Sequence, residues 1–215
     1  MLNVNVLDNL KTGDLILFES QNSGWLGCFD SIIKYFTQSQ YTHIAMVILG
    51  ADLLVPDIPE NKIYLWESAY ESQPDPISHK KPYGVRLTDL DLLIKDYQGK
   101  LYVRKLNSSL EKSNLLNPEK LTSIYQQIKN KPYDINIRDW YYAWAQNDKH
   151  RTNKSFFCSA LVGYIYTQLG IFKTETDWSI LRPSDFSIEN QDVNLQYQGS
   201  VKLEDYQENL FSSSS

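Results

Sequence analysis

Residues 153–170 read "NKSFFCSALVGYIYTQLG", and the role of the cysteine inside this stretch decides what the chain is. Three polar residues, Asn153, Lys154 and Ser155, precede Phe156, after which Phe157, Leu161, Tyr164, Ile165 and Leu169 recur at helical spacing. The pattern predicts an amphipathic helix with Cys158 in its first turn and Gly170 just past its C-cap. A helix N-terminus carries unpaired N–H groups and a partial positive charge, which favour a thiolate and an oxyanion. Free cysteine is equally one of the most buried residue types and packs as a small hydrophobe. The stretch alone leaves both roles open for Cys158.

Working outward, the 215 residues carry a formal charge of −5 and are 42% hydrophobic and 22% charged. That balance fits one globular domain over 1–215 with a full core. No run of Lys or Arg breaks the acidic balance, so a nucleic-acid partner is excluded. The most apolar stretch, "HIAMVILGADLLVP", is too short to span a bilayer and is interrupted by Asp52. "MLNVNVLDNLKTGD" has no basic n-region followed by an apolar run, so a cytoplasmic setting is expected. Cys28 and Cys158 form neither a CxxC pair nor a disulfide framework.

Upstream, "GDLILFES" (13–20), "YTHIAMVILG" (41–50), "IYLWESAY" (63–70) and "KLYVRKL" (100–106) read as strands, the second buried on both faces. "GVRLTDLDLLIKDY" starts as an edge strand and turns helical. "NPEKLTSIYQQIKNKPYD" is a helix with Asn117 as N-cap and Pro118 in its first position. A further helix is expected around "GWLGCFDSIIKYF", with Cys28 in its core, and "TDWSILRPSDF" is a turn-rich return. The terminal serines predict a disordered tail over 208–215. The sum is an α+β domain with a central, mostly antiparallel sheet and the Cys158 helix packed on one face.

A thiol nucleophile needs a base, and the base needs a third group to orient its ring. Of three histidines, His79 and His150 fall in loop-like segments, whereas His43 opens the buried strand, where an imidazole must find partners. Glu67 is the only charge in "IYLWESAY", and sequential strands usually pair. An inward Glu67 would hold one imidazole nitrogen while the other faces Cys158; an outward Glu67 would be an ordinary solvated carboxylate.

Taken in order, "GDLILF", "YTHIAMVILG", "YLWESA", "KPYD" and "FFCSALVGYIY" resemble the circularly permuted papain-like branch of the NlpC/P60 superfamily. That branch includes the YiiX-like cysteine peptidases or amidases and is related to lecithin:retinol acyltransferase-type enzymes. The His strand precedes the Cys helix here, as in the permuted branch, and the resemblance spans about residues 12–190. It implies a permuted papain-like fold with Cys158 as nucleophile, His43 as base and Glu67 as the orienting group. The family often has an acidic residue soon after the Cys, where this chain has Ala160.

The implied activity is hydrolysis of an amide in a peptide or cell-wall-type peptide, or of an acyl bond, through a thioester and without metal or cofactor. Tyr41, Trp66 and Phe157 are candidates to line the groove, and Tyr41 also to donate to an oxyanion. The substrate is then a peptide or an acyl-containing small molecule, with a peripheral membrane or cell-wall location for it left open. A lipid acyltransferase or thioesterase, a binding module without catalysis, and a zinc site built from the same Cys, His and Glu are the competing expectations.

Overall fold

The computed structural model describes residues 1–20, 40–69, 76, 83–107, 110–132, 156–190 and 192–211. The helix expected around Cys28, together with His79, His150, Tyr133, Asp134 and the last four serines, lies outside the described residues. Chain order is α1 (Val4–Asp8), β1 (Leu15–Ser20), β2 (Tyr41–Leu49), β3 (Ile63–Ala69), β4 (Gly84–Asp89), α2 (Leu90–Asp96), β5 (Gly99–Arg104), α3 (Leu110–Leu115), α4 (Pro118–Ile128), α5 (Cys158–Leu169) and β6 (Glu208–Asn209). The strands form one six-stranded sheet in the order β4-β3-β2-β1-β5-β6, and every ladder is antiparallel. The α+β expectation is met, including β4 at an edge.

Local chemistry explains the punctuation. Asn117 caps α4 by accepting from the Lys120 N–H at 2.8 Å, with Pro118 next to it. Asp89 ends β4 and caps α2 through the N–H groups of Asp91 and Leu92. Gly170 ends α5 at φ 83°, a left-handed conformation that only glycine adopts at no cost. The exposed edge of β4 is covered in part by the turn after α4: Val85 N–H donates to the Lys131 carbonyl and Asn130 N–H to the Val85 carbonyl.

Alternation along the strands divides the core in two. One face carries Leu17, Ile44, Met46 and Trp66 under α4 and α5. The other carries Ile16, Phe18, Ala45, Val47 and Leu65, covered by Val6, Leu90 and Leu210. Three expectations need correction. The tail expected to be disordered over 208–215 is ordered as far as Phe211, because Glu208–Asn209 pair with β5 as β6, Leu210 is buried in the second core and Phe211 bridges to Leu2. The Cys158 helix is not amphipathic, because every residue from Cys158 to Leu169 is buried except Gln168; a helix apolar all round belongs in a core. Phe157 is not part of the helical stripe either, since it is the N-cap with extended backbone.

Close packing at mid-helix makes a first test. A Cβ on Gly163 would stand 2.8 Å from Leu181 Cδ1 and 2.9 Å from Trp178 Cβ. Gly163→Ala gains helix propensity but overpacks this contact, and we expect a net loss of roughly 1–3 kcal/mol in urea denaturation. Unchanged or raised stability would show that the Trp178–Leu181 turn yields freely.

Among the described residues, no helix is long and apolar enough to cross a membrane.

Candidate active site

The site forms where the sheet opens. β2 and β3 are neighbours, yet their ladder runs only from Leu49–Ile63 to Met46–Trp66. Beyond that pair the two strands no longer pair with each other, although β2 continues back to Tyr41 against β1 and β3 on to Ala69 against β4, and the side chains of His43 and Glu67 bridge the gap. On the other side of β2 the register to β1 shifts between Phe18 and Glu19, a bulge of the kind that re-aims side chains.

His43 Nε2 meets Glu67 Oε2 at 2.7 Å, and its ring packs edge-on against Phe18 with centroids 4.8 Å apart. The Cys158 side chain also lies close enough to the ring to raise its proton affinity. Since Nε2 is held by Glu67, Nδ1 is the nitrogen left for the sulfur. Cys158 is itself 3% exposed and is the first residue of α5. No side chain caps that helix N-terminus, so its leading N–H groups face the site with their partial positive charge. Ser159 Oγ donates to the Leu181 carbonyl at 2.7 Å and anchors the first turn from behind.

Glu67 is 2% exposed and its carboxylate is fully engaged. Oε1 accepts from Arg86 Nε at 3.2 Å and from Thr88 Oγ1 at 2.5 Å, and Arg86 is its direct cross-strand partner. Burial alone would raise the Glu67 carboxyl. The Arg86 guanidinium, His43 and the Thr88 hydroxyl outweigh it and hold the group down to about 2. Burial would likewise lower His43. The Cys158 charge, then Glu67, reverse this and hold the ring up at about 10. With Glu67 committed to three donors, two of them cationic, the trio does not suit a divalent cation, and no group of three metal-ligating side chains occurs among the described residues.

These shifts fix a pH dependence of stability. The raised His43 contributes fully below its ordinary 6.5 and loses its contribution as pH rises through about 10. The depressed Glu67 contributes fully above its ordinary 4.5 and loses its contribution as pH falls through about 2. Thermal melting should therefore peak between about 4.5 and 6.5 with respect to this pair, and Cys158→Ala should flatten the alkaline side. An alkaline limb identical in the two proteins would deny the Cys158–His43 coupling.

The structure thus brings Cys158, His43 and Glu67 together. It does not place Tyr41 and Trp66 on a groove. Trp66 is fully buried, packed edge-on against Tyr125, and its indole N–H has no acceptor among the described residues. Tyr41 is 2% exposed, and its hydroxyl accepts from Gln40 and from Gln207 Nε2 at 2.7 Å, tying the C-terminal segment to β2. Both are core residues, for the same reason: large aromatics beside a buried strand lose more water by packing inward. Phe157 is partly buried directly before Cys158. Arg86, Thr88 and Ser68 are not singled out by the sequence; the one signal for Arg86 is a basic residue among the apolar positions of a short strand, "GVRLTD", following the one that carries Glu67.

The profile of the permuted papain-like amidase family, YaeF/YiiX, C92, matches residues 9–208. The chain belongs to this family. No curated protein matches it. As a C92-family member the chain is placed among cysteine amidases, hydrolases of amide bonds on a permuted papain-like fold, and the match takes in every strand from β1 to β5 and the whole of α5.

Proposed function

We propose that the protein is an amidase that works through a thioester on Cys158, with His43 as the proton-carrying partner and Glu67 as the group that orients it. The observation that carries this is one imidazole held by a buried carboxylate and acted on by a cysteine at an uncapped helix N-terminus. The sulfur adds to the amide carbonyl carbon, and the oxygen takes up negative charge beside the Cys158 backbone N–H. His43 then gives its Nδ1 proton to the departing amine as the C–N bond breaks. In the second half His43 takes a proton from water, whose oxygen attacks the thioester carbon; the acid leaves and the sulfur is restored. Glu67 stays ionised throughout and keeps Nε2 occupied, so Nδ1 is the nitrogen that exchanges the proton.

Substrates of this chemistry are peptides, cell-wall-type peptides or acyl-bearing small molecules. A panel of such amides, with fatty-acyl esters and thioesters beside them, assayed with the parent protein and Cys158→Ala, tests the proposal. Cleavage of an amide that Cys158→Ala abolishes, with an acyl-enzyme mass on Cys158, supports it. Cleavage that survives the substitution overturns it. A primary amine added to the assay separates hydrolysis from transfer by the product formed.

A further inference from the structure

Glu67 and Ser68 are successive residues of β3, so their side chains leave the strand on opposite sides. Glu67 holds the imidazole of His43. Ser68, fully buried, donates its hydroxyl to the carbonyl of Phe156 at 2.6 Å, two residues before the nucleophile. The same residue is held from its other end, since Phe156 N–H donates to the Pro132 carbonyl at 3.1 Å. Only the extended Phe157 separates this pinned peptide from the first residue of α5.

We propose that Ser68 is a positioning residue for the nucleophile: by holding the Phe156 carbonyl it fixes where Cys158 stands relative to His43. Two adjacent side chains of one strand then set the spacing between base and sulfur, one from each side. The proposal rests on the Cys158–His43 pairing put forward above. A β3 register slip of one residue would exchange the two side chains and lose both contacts, so the spacing is built into the strand itself. A hydroxyl is needed there because Phe156 is buried and its carbonyl has to be paired away from water.

The groups facing His43 are Cys158 from α5, Glu67 from β3 with Arg86 behind it, and Phe18 from β1, so the titration of its ring reports whether the sulfur is in place. We would follow that titration by NMR, assigned with His43→Ala, and the iodoacetamide labelling rate of Cys158 by peptide mass. The variants are Ser68→Ala, Ser68→Thr and Thr167→Ala. Thr167 donates to the Gly163 carbonyl in the same helix and serves as a buried-hydroxyl control away from the site.

The expected result is that Ser68→Ala lowers the His43 titration by roughly one pH unit and slows labelling roughly tenfold. Ser68→Thr should restore both, and Thr167→Ala should lower the melting temperature while moving neither. Ser68→Ala that loses stability as Thr167→Ala does, with titration and labelling as in the parent, would overturn the proposal and leave Ser68 structural. Should Ser68→Ala not fold, Ser68→Cys keeps the shape with a far weaker donor and is read in the same way. If Cys158→Ala fails to lower the His43 titration in the otherwise unaltered protein, the pairing itself is wrong, and both readings fall on that result.

Discussion

In His43→Ala, alkylation of Cys158 at neutral pH is expected to slow by roughly a hundredfold or more, the scale of a lost general base, and turnover of any amide substrate should fall at least as far. The imidazole stands between the sulfur and a carboxylate held ionised by Arg86 and Thr88. Removing it leaves the sulfur with only the helix N-terminus to favour its charged form, an influence worth at most a couple of kcal/mol. Labelling is read by peptide mass at Cys158 and Cys28 separately, in parent and variant, across pH. A Cys158 rate that does not change between the two proteins would remove His43 from the chemistry. A substitution at Glu67 tests a different link, because it should leave the base in the site but unaligned.

The second large effect is on stability. Glu67→Ala leaves the guanidinium of Arg86, 1% exposed, without its carboxylate. Stripping one partner from a buried ion pair costs roughly 3–5 kcal/mol, because a charge remains where water cannot reach it. For a chain of this length that corresponds to a melting temperature lower by roughly 6–20 °C. Glu67→Ala/Arg86→Met removes both charges and should recover part of the loss while remaining inactive, since His43 still lacks its acceptor. The pair of measurements separates two jobs of one residue: folding recovers with the double change, catalysis does not. A single variant that melts within about 1 kcal/mol of the parent would mean that Arg86 finds other compensation.

Much of this arrangement was legible in the chain because it rests on local signals. The Asn117–Pro118 start of α4, the Gly170 stop of α5 and the apolar length of β2 each follow from backbone chemistry that a few residues specify. Placing His43 near Glu67 required only that consecutive strands be neighbours. What could not be read was where their ladder stops: past Met46–Trp66, the Ser68 side chain of β3 is bonded to Phe156, a residue from far along the chain. The same non-locality hid Ser68, an unremarkable serine until Phe156 is brought against it. Trp66 and Tyr41 misled in the opposite direction, since aromatic residues near a histidine look like a groove until their burial is known.

The order of elements also bears on how the protein is made. His43 and Glu67 belong to strands from the first third of the chain, while the sulfur arrives on α5, after a long intervening stretch has been translated. A ribosome-bound chain therefore carries base and orienting carboxylate well before it has a nucleophile to activate. Because the contact joins distant parts of the sequence, it is among the costlier ones to close in chain entropy and should form late in folding. Chemical reactivity at Cys158 would then serve as a clock for the completion of the fold, rising only when the last helix docks.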